Sequence, residues 1–343
     1  MANNSRIEVL DGMRGVAALA VAWFHFTNGS KLFDGWLKAS GYYGWLGVEA
    51  FFVISGFVIP YSMLRAGYRG LSDAGTFILK RLIRLEPPYL ISLLLTIGLL
   101  YASSLAPGFK GGPPDITPER VLLHLGYINV FFGEDWFNPV YWTLAIEFQF
   151  YVSMILLFPL LGSPSLLRRG AALAGMAALA LTLKDANFIF PYLGLFGLGA
   201  LAFHVRAGFI GPRLFTLGAA MMGAVTLSAL GPAQAGVGIA TAVAAAFANP
   251  RPVRAFAFLG AISYSVYLLH VPVGGRIMNL AGRLPTAWHG PALLLAVLAS
   301  VCGAYALYRL VERPSQDFSK RLQYRNTATG SPSGGPESAI PGR

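Results

Sequence analysis

The chain has 343 residues, of which 55% are hydrophobic and only 12% are charged, and its formal net charge is +11. Because ordinary soluble domains carry about 25% charged residues, this composition excludes a soluble globular protein and indicates an integral membrane protein. The single cysteine, Cys302, excludes an intramolecular disulfide bond.

Ten apolar segments approach the roughly 20 residues that a helix needs to cross about 30 Å of hydrocarbon. They lie at residues 12–28, 43–64, 88–106, 139–161, 171–184, 188–205, 213–230, 236–249, 257–275 and 290–310. The apolar run 121–133 is too brief to span, so we interpret it as a re-entrant or interfacial piece. The sequence therefore predicts an all-α fold, a polytopic membrane helix bundle of about ten transmembrane helices.

The basic residues predict the orientation of this bundle. With the N-terminus in the cytoplasm, 19 of the 26 Lys and Arg residues lie inside and seven lie outside. Cytoplasmic loops carry an excess of Lys and Arg, so we expect both termini in the cytoplasm, and the net charge requires no nucleic-acid partner. Residues 1–325 form the predicted membrane domain, and residues 326–343, rich in Ser, Gly, Pro and Thr, form a predicted disordered cytoplasmic tail.

Arg14 and His25 lie within the first apolar segment, where ionisable side chains are costly and usually mark a site. A separation of eleven residues, at about 100° each, places both side chains on one helix face and about 16 Å apart along its axis. In the predicted orientation Arg14 lies at the cytoplasmic mouth. This arrangement suits an elongated donor, because guanidinium binds phosphate and imidazole accepts a proton near neutral pH. The alternative is a snorkelling arginine and a histidine bonded to a neighbouring helix.

Polar residues recur in three later segments. They are Glu49 and Ser55 in the second segment, Thr143, Glu147 and Tyr151 in the fourth, and Ser263, Tyr267 and His270 in the ninth. The last two sets have the spacing of a single helix face. A carboxylate such as Glu147, at mid-membrane depth in this topology, is costly unless it is paired or hydrated. His124, His204 and His289 lie near loops or a helix end, where we expect packing roles.

A basic run leads into the third segment from its cytoplasmic side. Lys80, Arg81 and Arg84 can occupy adjacent turns of a helix that Pro87 ends or kinks. One interpretation is an interfacial amphipathic helix that meets anionic lipid. The other is a phosphate-binding platform beside Arg14.

Seven short motifs follow one another between residue 10 and residue 314. They are Leu-Asp-Gly-Met-Arg-Gly at 10–15, the pair Arg14 and His25 separated by ten residues, Gly-Val-Glu-Ala-Phe-Phe-Val-Ile-Ser-Gly-Phe at 47–57, Arg-Leu-Glu-Pro-Pro-Tyr at 84–89, Trp-Thr-Leu-Ala-Ile-Glu-Phe-Gln-Phe-Tyr at 142–151, Ser-Tyr-Ser-Val-Tyr-Leu-Leu-His at 263–270, and Glu-Arg-Pro at 312–314. In this order they resemble the acyltransferase 3 family of bacterial membrane O-acyltransferases. A single motif would be unspecific, whereas seven in the family's order are specific.

The resemblance implies transfer of an acyl group, usually acetyl, from cytoplasmic acyl-coenzyme A to a hydroxyl of a cell-envelope or exported carbohydrate. It places the protein in the bacterial inner membrane as a multi-pass protein. We therefore expect acyl-coenzyme A, most simply acetyl-CoA, as a co-substrate, with no permanently bound cofactor and no metal. The expected partners are this donor, a carbohydrate or lipid-linked glycan acceptor, and membrane lipids.

The resemblance also implies roles for individual residues. His25 matches the family's essential histidine, and Glu147 matches one of its acidic positions. We expect the coenzyme to be bound by Arg14, Lys80, Arg81 and Arg84. We expect the site to be supported by Glu49, Ser55, Trp142, Tyr151 and His270. Phe148 stands where the family often has a second acidic residue, so no role that needs a carboxylate beside Glu147 is expected.

Transfer from a thioester to an alcohol requires that the alcohol lose its proton as its oxygen attacks. A positioned base typically contributes about 10²- to 10⁴-fold, so we expect His25 to be the general base, with a carboxylate such as Glu147 orienting it. An acyl-histidine intermediate is an alternative route. Ser55, Trp142 and Tyr151 are the candidate donors to the oxyanion.

A second class of function fits the same composition. Buried Glu, His and Arg residues also suit a proton-coupled transporter or a flippase of a lipid-linked sugar, in which acids relay protons. The sequence shows no internal repeat of the kind that transporter halves carry, and the spacing of Arg14 and His25 favours an enzyme. A purely structural membrane protein gives no reason for so many intramembrane ionisable groups.

Overall fold

The computed structural model describes residues 8–106, 114–251, 253–322 and 324. This part of the chain is helical throughout and contains no strand, which confirms the predicted all-α fold. Its α-helices are α1 Glu8–Asn28, α2 Gly35–Gly41, α3 Gly47–Arg65, α4 Leu71–Ser104, α5 Pro118–Leu125, α6 Trp142–Leu161, α7 Leu166–Thr182, α8 Leu193–Arg206, α9 Pro212–Ala229, α10 Pro232–Phe247, α11 Arg254–Leu269, α12 Arg276–Ala281, α13 His289–Leu307 and α14 Arg313–Arg321. The predicted tail, residues 326–343, lies outside the described residues.

Each predicted apolar segment overlaps a helix of the structure. Within the described ranges, six helical stretches are long and apolar enough to cross a membrane: Val9–Asn28, Gly35–Arg65, Leu71–Ser104, Trp142–Leu161, Arg254–Ala281 and Thr286–Arg321. Pro232–Phe247 is apolar but shorter. The chain is therefore a multi-pass membrane protein, whereas ten spans and cytoplasmic termini stay predictions. The run 121–133 forms the end of α5 and a single 3₁₀ turn, Asn129–Phe132.

Helix α4 is much longer than the apolar segment that predicted it. It begins at Leu71 rather than near residue 88, so the basic run and the apolar run belong to one helix. Pro87 does not end this helix, which continues to Ser104. Proline removes one backbone donor from a helix and frees carbonyl groups in the preceding turn. There the hydroxyl of Tyr264 donates to the carbonyl of Leu85 at 3.0 Å.

Helices α1 and α11 run parallel and pack through glycine. A Cβ atom at Gly15 would lie 2.6 Å from the Cβ of Leu259, and one at Gly260 would overlap the backbone of α1. Small residues at a helix interface let the two backbones approach closely, as is common in membrane bundles. Because the helices are parallel, the residues that follow this contact also lie side by side. His25 of α1 therefore lies beside His270, which directly follows α11.

Helices α3 and α8 pack through a second pair of glycines. A Cβ atom at Gly199 would overlap the backbone of α3, and one at Gly56 would overlap the backbone of Phe196. Phe196 stacks in turn on Phe150 of α6, with ring centroids 4.0 Å apart. These contacts hold α3 between α8 and α6 and set Ser55 opposite α6.

His124 holds the connection between α5 and α6. Its Nε2 atom accepts a hydrogen bond from the backbone N–H of Phe137 at 2.9 Å, and its Nδ1 atom lies 2.7 Å from the carbonyl oxygen of Arg120. Its ring stacks on Phe137 with centroids 4.1 Å apart. Since both ring nitrogens and the ring face are used, His124 has the packing role that the sequence indicates.

Candidate active site

A cavity with about 800 Å³ of empty space, counted to its mouth, lies between α1, α3, α4, α6 and α11. Its polar lining consists of Arg14, Ser55, Arg81, Arg84, Thr143, Glu147, Tyr151, Tyr264 and Tyr267. An adjoining pocket of about 280 Å³ opens between α4 and α6 and shares Arg81, Glu147, Tyr151 and Tyr264 with the cavity. Residues that are far apart in the sequence therefore meet in one polar space inside an apolar bundle.

Three guanidinium groups face this cavity, those of Arg14, Arg81 and Arg84. Arg81 donates a hydrogen bond to the hydroxyl of Ser62 at 2.6 Å, and its guanidinium lies 5.6 Å from the centre of the Tyr151 ring. Such contacts hold the planar guanidinium group in one orientation. A cavity lined by three cations inside a membrane is suited to a ligand that carries several negative charges.

Glu147 is the carboxylate that faces the same space. It accepts a hydrogen bond from the hydroxyl of Ser55 at 2.8 Å, and its charge acts on both Arg14 and Arg81. The structure thus places Glu147 next to Ser55 and the arginines. That Glu147 orients the ring of His25 stays a prediction. Glu147 shares the lining with Thr143 and Tyr151, which confirms the face predicted from their spacing.

The two histidines lie outside the lining of the cavity. The ring of His25 contacts that of His270, with centroids 5.2 Å apart. His270 contacts the ring of Tyr267 at 5.7 Å, and the hydroxyl of Tyr267, which lines the cavity, lies 2.7 Å from that of Thr143. Tyr267 therefore connects the arginine-lined cavity with the histidine pair.

The comparison with known proteins identifies the family of the chain. Residues 7–309 match the acyltransferase domain of the acyltransferase 3 family. The chain belongs to this family. The family is one of membrane acyltransferases, and the resemblance of the motifs to it is confirmed.

Several curated proteins are similar to this acyltransferase. The putative membrane-bound transacylase BcsY of Komagataeibacter xylinus is 28% identical over 355 aligned positions, which cover 91% of this chain and 83% of BcsY. The O-acetyltransferase OatA of Staphylococcus aureus is 35% identical over 161 residues, 44% of this chain and only 24% of OatA. The acyltransferase MdmB of Streptomyces mycarofaciens is 27% identical over 194 residues, 54% of this chain and 48% of MdmB. No solved structure is significantly similar to the chain.

Besides His25 and His270, three residues that the sequence predicted for the site lie outside the cavity lining. Lys80 donates to the carbonyl of Leu322, and its ammonium group lies 5.7 Å from the centre of the Tyr324 ring. Glu49 is buried in the first turn of α3, where its Oε2 atom has no hydrogen-bond partner in the described part of the chain. Trp142 packs against the ring of Tyr192 at 5.8 Å. The C-terminal segment therefore occupies the ammonium group of Lys80, which weighs against the coenzyme role predicted for this residue from the sequence.

The structure adds a residue that sequence reasoning did not assign. Glu312 lies in a π-helical turn, Tyr308–Glu312, and is buried. Ser265 donates to its Oε2 atom at 2.6 Å, and Gln316 donates to its Oε1 atom at 2.8 Å. Its charge acts on Arg14 and Arg84, so it is a second counter-charge for the arginines. The Glu-Arg-Pro motif at 312–314 could have indicated a charged partner for Glu312, because a carboxylate at the end of an apolar span is costly without one.

Proposed function

We propose that this acyltransferase transfers an acetyl group from acetyl-CoA to a hydroxyl of a cell-envelope or exported carbohydrate in the bacterial inner membrane. The observation that carries the proposal is the arginine-lined cavity that leads, through Tyr267, to the pair of histidines. In this proposal the arginine end faces the cytoplasm, where the donor is found. The acceptor reaches His25 from the opposite side.

Donor binding uses the cations of the cavity. Coenzyme A carries phosphate groups at one end and its thioester at the other, and guanidinium groups bind phosphate through paired hydrogen bonds. Arg14, Arg81 and Arg84 supply these groups, while Glu147 limits their mutual repulsion. The apolar side of α3 lies along the remaining lining and provides a surface for the neutral arm of the coenzyme.

In the proposed chemical step, His25 accepts the proton of the acceptor hydroxyl. As the acceptor hydroxyl attacks the thioester carbonyl, its proton moves to the ring of His25, and the new C–O bond forms. When the tetrahedral intermediate collapses, the C–S bond breaks, and the leaving thiolate takes the proton back from His25. A base in this position contributes typically about 10²- to 10⁴-fold. Of the three proposed oxyanion donors, Ser55 and Tyr151 line the cavity.

Inside-out membrane vesicles provide the test. They expose the cytoplasmic face to radiolabelled acetyl-CoA and contain the native acceptor, and product is counted as alkali-labile label in the carbohydrate fraction. We expect His25→Ala to reduce this label at least about 10²-fold, and His289→Ala, which changes a histidine at a loop, to leave it intact. Activity that persists in His25→Ala contradicts the general-base role. If the unsubstituted protein transfers no label from acetyl-CoA to the carbohydrate fraction, the proposed donor is contradicted and transport, which consumes no thioester, is favoured.

A further inference from the structure

The second nitrogen of His25 needs a partner of its own. When one imidazole nitrogen accepts a proton during catalysis, a hydrogen bond at the other nitrogen fixes the tautomer and the ring orientation. In serine hydrolases a carboxylate has this function. In this protein the carboxylate of Glu147 is already hydrogen-bonded to Ser55, and the ring beside His25 is that of His270.

The hydrogen bonds of His270 define what its ring can offer. Its Nδ1 atom lies 3.2 Å from the carbonyl oxygen of Val266, and a carbonyl only accepts, so the proton of the neutral ring is on Nδ1. The Nε2 atom therefore carries a lone pair. It is fully buried and has no partner among the residues that the structure describes. Buried acceptors are nearly always hydrogen-bonded, so an unpaired one calls for an explanation.

The local backbone keeps His270 next to α1. The chain from His270 to Gly275 is π-helical, a rare form that often occurs at functional sites. A Cβ atom at Gly274 would overlap the ring of Phe26, which follows His25 in α1. The ring of Phe26 also contacts that of His270, with centroids 6.3 Å apart. The two histidines are thus held by adjoining segments in direct contact.

We infer that His270 is a positioning residue for His25: the two rings are in contact, and a rotation of the His25 ring brings its N–H to the buried Nε2 atom of His270, which has no partner among the described residues. The inference rests on the proposed role of His25 as the general base. One nitrogen of His25 donates to His270 and stays protonated throughout, and the other takes the proton of the acceptor hydroxyl. His270 remains neutral, with its own proton on Nδ1 and directed at Val266. It stabilises the imidazolium form of His25 as a neutral acceptor.

Two substitutions separate positioning from packing. In His270→Gln the side-chain carbonyl can replace Nε2 as an acceptor, whereas His270→Phe fills the volume with no acceptor. We expect His270→Phe to lower kcat about 10²-fold without changing the KM for acetyl-CoA, and His270→Gln to recover most of that loss. If the packing of the ring is all that matters, His270→Phe equals or exceeds His270→Gln, and the inference is overturned.

The full-length chain in inside-out vesicles is used throughout, with radiolabelled acetyl-CoA as the probe. His204→Phe is the matched control, because His204 is equally buried and its Nε2 atom lies 2.8 Å from the carbonyl of Leu161, remote from the histidine pair. We expect it to lower the thermal stability but not the kcat per folded protein. An inactive His25→Ala together with a fully active His270→Phe overturns this inference alone. A fully active His25→Ala instead overturns the proposed general-base role of His25, on which this inference rests.

Discussion

Arg84 is the cavity arginine whose removal should disturb the protein least. It lines the cavity and makes no hydrogen bond with another residue of the described part, whereas Arg81 is bonded to Ser62. Its positive charge also acts against that of Arg14. A hydrogen bond to a charged group contributes about 1.5 to 3 kcal/mol, so loss of its contact with a coenzyme phosphate corresponds to about 10- to 150-fold in affinity. We therefore expect Arg84→Ala to raise the KM for acetyl-CoA by this factor at nearly unchanged thermal stability.

The assay measures initial rates in inside-out vesicles over a range of acetyl-CoA concentrations. Arg168→Ala is the matched control, because Arg168 is exposed at the start of α7, away from the cavity. We expect the KM of this control to equal that of the unsubstituted protein. The reasoning is refuted if Arg84→Ala binds acetyl-CoA as tightly as the unsubstituted protein, or if Arg168→Ala weakens binding by the same factor.

Three further predictions follow from other contacts. Lys80→Ala should leave the KM for acetyl-CoA unchanged, since Leu322 occupies its ammonium group; a rise like that of Arg84→Ala would show that Lys80 binds the donor. Gly260→Ala should lower the unfolding free energy by about 1–3 kcal/mol through overlap with α1, whereas Gly170→Ala, in open space, should not; equal melting temperatures of the two variants would contradict this. Burial lowers the pKa of His124 below 6.5, so the unfolded chain binds the proton first. The contribution of neutral His124 to the unfolding free energy is then fully present above about pH 6.5 and is lost as the pH falls below this value. The prediction is contradicted if the melting temperature of His124→Phe depends on pH as strongly as that of the unsubstituted protein.

The helices could be predicted from the sequence because crossing hydrocarbon demands long apolar runs. The basic run is predicted as a helix, but its continuity with the apolar half of α4 could not be predicted in this way. Lys80, Arg81 and Arg84 interrupt the apolar pattern, and a hydropathy pattern does not distinguish an interfacial helix from a helix whose charges face a cavity or another segment of the protein. The continuation of the helix through Pro87 could likewise not be predicted, because the cost of a proline inside a helix depends on its contacts with neighbouring helices.

The site could be predicted one helix at a time but not between helices. Spacing by four residues correctly grouped Thr143, Glu147 and Tyr151 on the cavity face. The hydrogen bond between Ser55 and Glu147 depends on how α3 packs against α6, and the residue spacing within one helix does not show this packing. The same limit applies to Lys80, whose side chain lies about 40° from that of Arg84 around the helix. So small an angle does not show, from spacing alone, which of the two side chains faces the cavity.

The separation of the arginines from the histidines has an electrostatic consequence for the proposed reaction. At contact distance, about 4 Å, a guanidinium would disfavour the imidazolium form of His25 by about 4 kcal/mol with an effective dielectric constant of 20. At the roughly 16 Å that separates Arg14 from His25 along α1, the same expression gives about 1 kcal/mol. The bound phosphates and the carboxylates of Glu147 and Glu312 reduce this remainder further. In the proposed reaction the separation along α1 therefore lets one site hold a polyanionic donor with cations while a second, neutral site forms a cation of its own.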